Sequence, residues 1–171
     1  QPEKARVILY LEKKRASQFD GIIGFLPDQR TGRTTITGDV RLKILNAFSR
    51  GESHEFSWRQ LQTQTQDLKT HFYYPYLFQT PFCLDLRFKL YKKDTSWIDV
   101  NPMVGLEYKL SGKRSLRGFI ERRTMNLLST YSFLQPTGLP IAGDLQTTQY
   151  GLSLKLEDLD YRYNPRRGYQ C

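Results

Sequence analysis

Few side chains in this sequence are suited to chemistry. His54 and His71 are the only histidines, and Cys83 and Cys171 are the only cysteines. Each histidine stands singly within a strand-like stretch, without the HxxH, CxxC or carboxylate–histidine spacing that brings several ligands onto one metal ion. The two cysteines lie too far apart to form a metal knuckle, and a single disulfide between them would not staple a scaffold, so neither is assigned a role. Serine and threonine are plentiful, yet no G-x-S-x-G elbow and no glycine-rich phosphate loop occurs. One combination stays open, Asp85 with His71, which could share a proton if folding brought them together in the lumen or at the rim of a barrel. The expectation from these residues is a protein that is not an enzyme, with no catalytic, cofactor or metal site.

The segments that carry these residues alternate with a period of two, which sends successive side chains to opposite faces of a strand. Phe82, Leu84, Leu86, Phe88 and Leu90 alternate with Cys83, Asp85, Arg87 and Lys89. Ile98, Val100, Pro102, Val104, Leu106, Tyr108 and Leu110 alternate with Asp99, Asn101, Met103, Gly105, Glu107 and Lys109. The same pattern covers 36–44 and 149–156, and more weakly 54–61, 67–74 and 115–124. Turn residues separate the runs at Thr31-Gly32, Ser49-Arg50-Gly51, Asp94-Thr95-Ser96 and Ser111-Gly112-Lys113. No sustained helical period, heptad or fixed-length repeat is found. The expected fold is all-β, an antiparallel up-and-down meander of about eight long strands. Pro102 has no N–H for a ladder, and its place inside a long strand predicts a bulge or an edge.

Composition limits the function classes. The longest apolar run, Val7-Ile8-Leu9-Tyr10-Leu11, falls far below the roughly 18 residues of a spanning helix. A net charge of +9 would fit nucleic acid, but the 26 Lys and Arg are scattered: the longest basic run is only Lys13-Lys14-Arg15, directly after Glu12, with others in turn pairs such as Lys92-Lys93 and Arg166-Arg167. No nucleic-acid partner is expected. The first residues lack a signal-peptide core, so the start reads as a cut or mature end, with any export signal on a longer precursor.

Several alternating runs are longer than the usual strand of a soluble sheet and match the roughly 9–11 residues that cross a bilayer at a tilt. If the first strand runs outward, the turns near 47–52, 74–81 and 110–114 share one side, and the longest loop, about 126–143, lies on the other. Short periplasmic turns with longer outer loops are usual in bacterial barrels. Aromatics gather near strand ends, at Phe72-Tyr73-Tyr74, Tyr76, Phe78, Trp97, Tyr161 and Tyr163, where rings could meet lipid headgroups or pack near turns. Alternation alone leaves open which face is inside. In a membrane barrel Asp85, Arg87, Lys89, Glu107 and Lys109 face a wet lumen, and Phe82, Leu84, Leu86, Phe88, Leu90, Val100, Val104 and Leu106 face lipid; in a soluble barrel the faces exchange.

A family resemblance adds to this pattern. Gln18-Phe19-Asp20-Gly21-Ile22-Ile23-Gly24-Phe25, following Val7 to Lys13, resembles the passage from a last polypeptide-transport-associated (POTRA) module into the first barrel strand of outer-membrane protein assembly factors. Asn46-Ala47-Phe48-Ser49-Arg50-Gly51-Glu52 is similar to that family's second barrel turn, and Tyr74-Pro75-Tyr76-Leu77-Phe78 to a later one. Asn164-Pro165-Arg166-Arg167-Gly168-Tyr169 resembles the periplasmic turn before a mid-barrel strand in these BamA-like, POTRA-linked surface-antigen barrels, and is the most specific of the four. Arg117-Gly118-Phe119 matches a family motif by letters only. That motif belongs to an outer loop of the second barrel half, so no role is carried over.

The resemblance implies residues 1–15 as the end of a POTRA module and 16–171 as the N-terminal half of a sixteen-strand barrel in the bacterial outer membrane. It also implies insertion and folding of other outer-membrane proteins, through a lateral seam at Phe19, Asp20, Gly21, Ile22, Ile23, Gly24 and Phe25. Some family members instead secrete or translocate a polypeptide. The implied partners are membrane lipid, unfolded outer-membrane clients, the C-terminal half of the barrel and accessory lipoproteins. Gly21 and Gly24 either loosen the seam or serve a tight bend where the chain enters the barrel. Two other readings stay open: a passive, closed eight-strand outer-membrane barrel or pore, and a soluble β-barrel binding an apolar ligand.

Overall fold

The computed structural model describes Ile8, Tyr10 and residues 16–27, 32, 34–62, 64–94, 96–111, 113–127, 144–159, 166 and 168–170. The segment expected as a first strand from the resemblance lies in β1 (Gln18–Pro27), and the alternating runs become strands β2 (Thr34–Leu45), β3 (Ser53–Gln62), β4 (Thr65–Tyr74), β5 (Phe82–Lys93), β6 (Trp97–Ser111), β7 (Arg114–Leu127) and β8 (Leu145–Leu159). A ninth, short strand is β9 (Gly168–Gln170), in keeping with the expected count of about eight. It arises inside the end motif, whose short alternation is too brief to read as a strand. All are antiparallel in one sheet ordered β1 to β9 without crossovers, an all-β meander. Among the described residues the only helical turn is a 3-10 segment at Leu77–Gln79. The expected POTRA end at 1–15 falls outside the described residues except for Ile8 and Tyr10.

The strands are long because the alternation is long. At ~3.3 Å per residue, β6 with its 15 residues runs ~50 Å. Most ladders keep one register, with irregularities between Arg59 and Gln62 and between Lys109 and Ser111. Pro102 makes neither the bulge nor the edge expected of it. It pairs with Phe88 of β5, while on the β7 side the pairing passes from Val100↔Thr124 to Met103↔Glu121 in unchanged register. An imino acid cannot donate there, and the ladder skips Asn101 and Pro102 rather than shifting.

The loop expected at about 126–143 begins later, because Asn126 and Leu127 extend β7; residues 128–143 lie outside the described set. It shares its side with the tight β3–β4 and β5–β6 connections, while 46–52 and 75–81 lie on the other. Turn length therefore does not separate the two sides, and the asymmetry rests on this one connection.

Candidate functional site: a charged covered face and an open first strand

Directly paired residues share a face, so the registers sort every strand. One face carries Asp39, Arg41, Lys43, Glu55, Arg59, His71, Asp85, Arg87, Glu107, Arg117 and Glu121. Its side chains cover one another: Cys83, Asp85, Met103, Gly105 and Ser115 are buried there. The other face carries most of the leucines, isoleucines and phenylalanines and is largely bare. Val104, Leu106, Leu116, Ile120, Tyr150, Leu152 and Leu154 are all exposed. The sheet is covered on its charged face and exposed on its apolar one, the reverse of a water-soluble sheet.

Asp85 is the centre of the charged face. Its carboxylate accepts from Arg87 through both Nε (3.2 Å) and Nη2 (3.1 Å), and from Arg117 Nη2 at 2.8 Å. His71 Nε2 stands 3.0 Å from Asp85 Oδ1 and its Nδ1 3.8 Å from Glu55, which also holds Lys43 at 2.6 Å. Only 6% of the Asp85 side chain is exposed, and two guanidinium groups offset the cost of burying its charge. Arg117 spans β6 to reach it, because Gly105 leaves the space: a Cβ there would stand 3.2 Å from Arg117 Nε. Further pairs extend the network, Asp39 with Arg41 and Arg59, Asp99 with Arg123, and Asn101 with Glu121.

His71 and Asp85, separated in sequence, are thus brought together, with the carboxylate already taken up by two arginines. That arrangement makes Asp85 a structural counter-ion. Among the described residues no group of three or more His, Cys, Asp and Glu stands where it could hold a metal ion. Cys83 is a buried free thiol; Cys171 lies outside the described residues.

The eight residues expected to face lipid fall on one face, paired as Phe82↔Tyr108, Leu84↔Leu106, Leu86↔Val104, Phe88↔Pro102 and Leu90↔Val100. Phe82, Val104 and Leu106 are exposed, while Leu84, Leu86, Phe88, Leu90 and Val100 are half-covered by one another.

Phe19 to Phe25 lie in β1, which pairs with β2 in unbroken register from Gln18↔Lys43 to Pro27↔Thr34. Among the described residues β1 has no partner on its other side, so a row of N–H and C=O groups stays unpaired. Gly21 and Gly24 sit mid-strand rather than at a bend. Phe19, Ile23 and Phe25 lie on the apolar face, and Asp20 and Ile22 on the charged one, opposite Arg41 and Asp39. Ile22 is 77% exposed, so β1 presents apolar surface on both faces.

Of the end motif, Gly168 and Tyr169 lie in β9 and pair with Leu159 and Asp158 of β8. Asn164, Pro165 and Arg167 lie outside the described residues, and Arg166 is an exposed bend.

The 46–52 turn is built around Glu52, a residue that alternation does not single out. Its carboxylate, almost fully buried, accepts the Phe48 and Arg50 N–H groups, and the Asn46 side chain accepts that of Gly51. The Phe48 N–H, foremost among these donors, holds the Glu52 carboxyl below its ordinary pKa. Arg117 and Phe119 also lie on the charged face, consistent with their alternation with Leu116, Gly118 and Ile120.

No protein-family model and no curated protein sequence matches this chain. Among solved structures the chain is similar to BamA from Haemophilus ducreyi lacking POTRA domains 1–3, with a TM-score of 0.49 and 12% identity over 90% of this chain and 32% of that one. The chain thus spans less than two thirds of that protein's length, and a likeness at this level carries nothing about activity.

Proposed function

We propose that this chain is the N-terminal part of a bacterial outer-membrane β-barrel that folds and inserts other outer-membrane proteins through a seam at β1. The observation that supports the barrel best is the polarity of the sheet. Asp85 and its arginines need a covered, wet interior, and the exposed leucines and phenylalanines need hydrocarbon outside. A soluble barrel holding an apolar ligand would need the opposite arrangement. A closed eight-strand pore would need β1 to pair with β8, whereas the order from β1 to β9 is linear.

The seam draws its support from the free edge of β1 and from the resemblance of Gln18–Phe25 to the first strand of assembly factors. Unpaired backbone groups in hydrocarbon cost several kcal/mol each, so an incoming client strand that pairs with them is strongly favoured. Membrane lipid, unfolded clients, a C-terminal barrel half and accessory lipoproteins are the partners in this reading. It assigns the chain no catalysis, cofactor or metal.

The solution mass of the chain with and without detergent, beside gels of heated and unheated samples, tests the barrel. A detergent-dependent species without a heat-shifted monomer is expected; a compact monomer free of detergent overturns it. For the seam, the full-length protein in liposomes is given an unfolded outer-membrane client, with a cysteine introduced by Ile22→Cys. Faster client folding and a disulfide to a client cysteine are expected. Folding no faster than in empty liposomes, without that disulfide, rejects the insertase.

A further inference from the structure

On the 46–52 side of the sheet, two neighbouring turns have a composition that the strands do not explain. The β2–β3 turn and the β4–β5 turn abut, for a Cβ on Gly51 would touch Pro75 Cγ at 3.4 Å. Phe48 is 70% exposed, Tyr76 58% and Phe78 86%. Tyr76, Phe78 and Gln79 hold left-handed backbone, with φ of 52°, 51° and 62°, a conformation unfavourable for bulky residues. Two of these strained positions carry exposed aromatic rings.

Phe48 continues the apolar face. From the belt toward the turns run Phe72, His54 and Phe48, with centroids 4.7 and 6.0 Å apart, and Tyr74 lies 6.2 Å from Phe72. At the end stands Arg50, whose Nη1 donates to the Tyr74 hydroxyl at 2.8 Å. The acid beside it, Glu52, is committed to backbone N–H groups, so among the described residues the guanidinium keeps donors for something else. A cleft of about 530 Å³ lined by Arg50, Tyr74, Pro75, Tyr76, Phe78 and Gln79 opens beside it. Along one face the surface passes from aliphatic to aromatic to cationic, the order of hydrocarbon, interface and phosphate in a bilayer leaflet.

We infer that the cleft between these turns binds the phosphate headgroup of a bilayer phospholipid, with Arg50 as its anion ligand and Tyr76 and Phe78 set in the interface beside it. The inference rests on the membrane-barrel reading and adds a specific lipid site to it. Arginine suits the role because its planar fork meets phosphate oxygens in pairs. The Tyr74 hydroxyl holds the fork in place, and the continuity of the cleft with the apolar belt selects a lipid over a soluble anion.

The test uses the folded chain in phosphatidylcholine bilayers, with and without phosphatidylglycerol, carrying a nitroxide at either the headgroup or the acyl chain. Trp58, on the apolar face, reports whether the sheet is in the bilayer. The tryptophan introduced by Phe78→Trp, at a position open enough to leave the fold intact, is expected to be quenched more by the headgroup nitroxide than by the acyl one. Arg50→Gln is expected to weaken phosphatidylglycerol retention about tenfold, the scale of one charge-assisted hydrogen bond, with Arg50→Lys intermediate. Acyl quenching of Trp58 without quenching of the introduced tryptophan, or unchanged retention in Arg50→Gln, overturns the lipid site alone. An unquenched Trp58 overturns the membrane reading and this inference with it.

Discussion

Phe119 lies over Gly151 of the neighbouring strand so closely that a Cβ on the glycine would stand 2.7 Å from the ring. The same ring is 5.7 Å from the Arg117 guanidinium carbon, and Arg117 reaches Asp85, so one chain of contacts runs from β5 to β8 across the covered face. Gly151→Ala must displace the ring and is expected to cost about 1–3 kcal/mol. Phe119→Ala in that background should recover part of the loss. Denaturant midpoints of both single variants and the double variant in detergent decide it, and strict additivity would contradict the contact.

Asp85 meets two guanidinium groups, of Arg87 and Arg117, and stands beside His71, whereas Asp99 meets Arg123 with 47% of the arginine side chain exposed. Asp85→Asn should cost about 1–3 kcal/mol, because it takes the shared carboxylate charge from two partly exposed guanidinium groups, and Arg123→Gln no more than about 1 kcal/mol. Equal losses in equilibrium unfolding would remove Asp85 from the centre of the network.

Leu86 belongs to the apolar face near the middle of β5, and Lys89 to the charged face. Leu86→Arg is expected to cost roughly 2–4 kcal/mol in a bilayer, and Lys89→Leu little. Arg87 is the poorer control, since it chelates Asp85. Folding yields into liposomes measure both; similar tolerance at the two positions would reverse the assignment of faces.

Gly38 lies against β1, where a Cβ would meet the Ile22 carbonyl oxygen at 2.5 Å. Gly38→Ala must therefore push β1 from β2. Amide exchange at Ile22–Gly24 should accelerate while the β5–β6 ladder keeps its protection. Unchanged exchange in β1 would show that the strand absorbs the added methyl group.

Glu52 has a lowered folded-state pKa, with the Phe48 N–H as its leading cause. Its unfolded value lies near the ordinary ~4.3 of glutamate. Because the folded value is the lower one, the stabilisation is complete above the unfolded pKa and is lost as pH falls through the folded one. Amide exchange of Phe48 and Arg50, corrected for its intrinsic pH dependence, should lose protection across that acidic window in the parent chain, and the window should vanish in Glu52→Gln.

The sequence by itself determined that the chain is a meander of long antiparallel strands with one apolar and one charged face. Period two is a local property of the backbone, and the turns at Gly51, Asp94 and Lys113 are local as well. The family resemblance, not alternation, pointed to the first strand, whereas alternation placed the Leu84, Leu86 and Val104 set on one face.

It did not determine which face is covered, since alternation is symmetric under exchange of inside and outside. Nor did it place Arg117 on Asp85, a contact across an intervening strand that needs both registers and the space above Gly105. The ladder gap at Pro102, the edge left open at β1 and the packing of Phe119 on Gly151 also depend on how separate strands align. Those outcomes follow from cross-strand register and the packing of side chains over one another, which only the assembled sheet supplies.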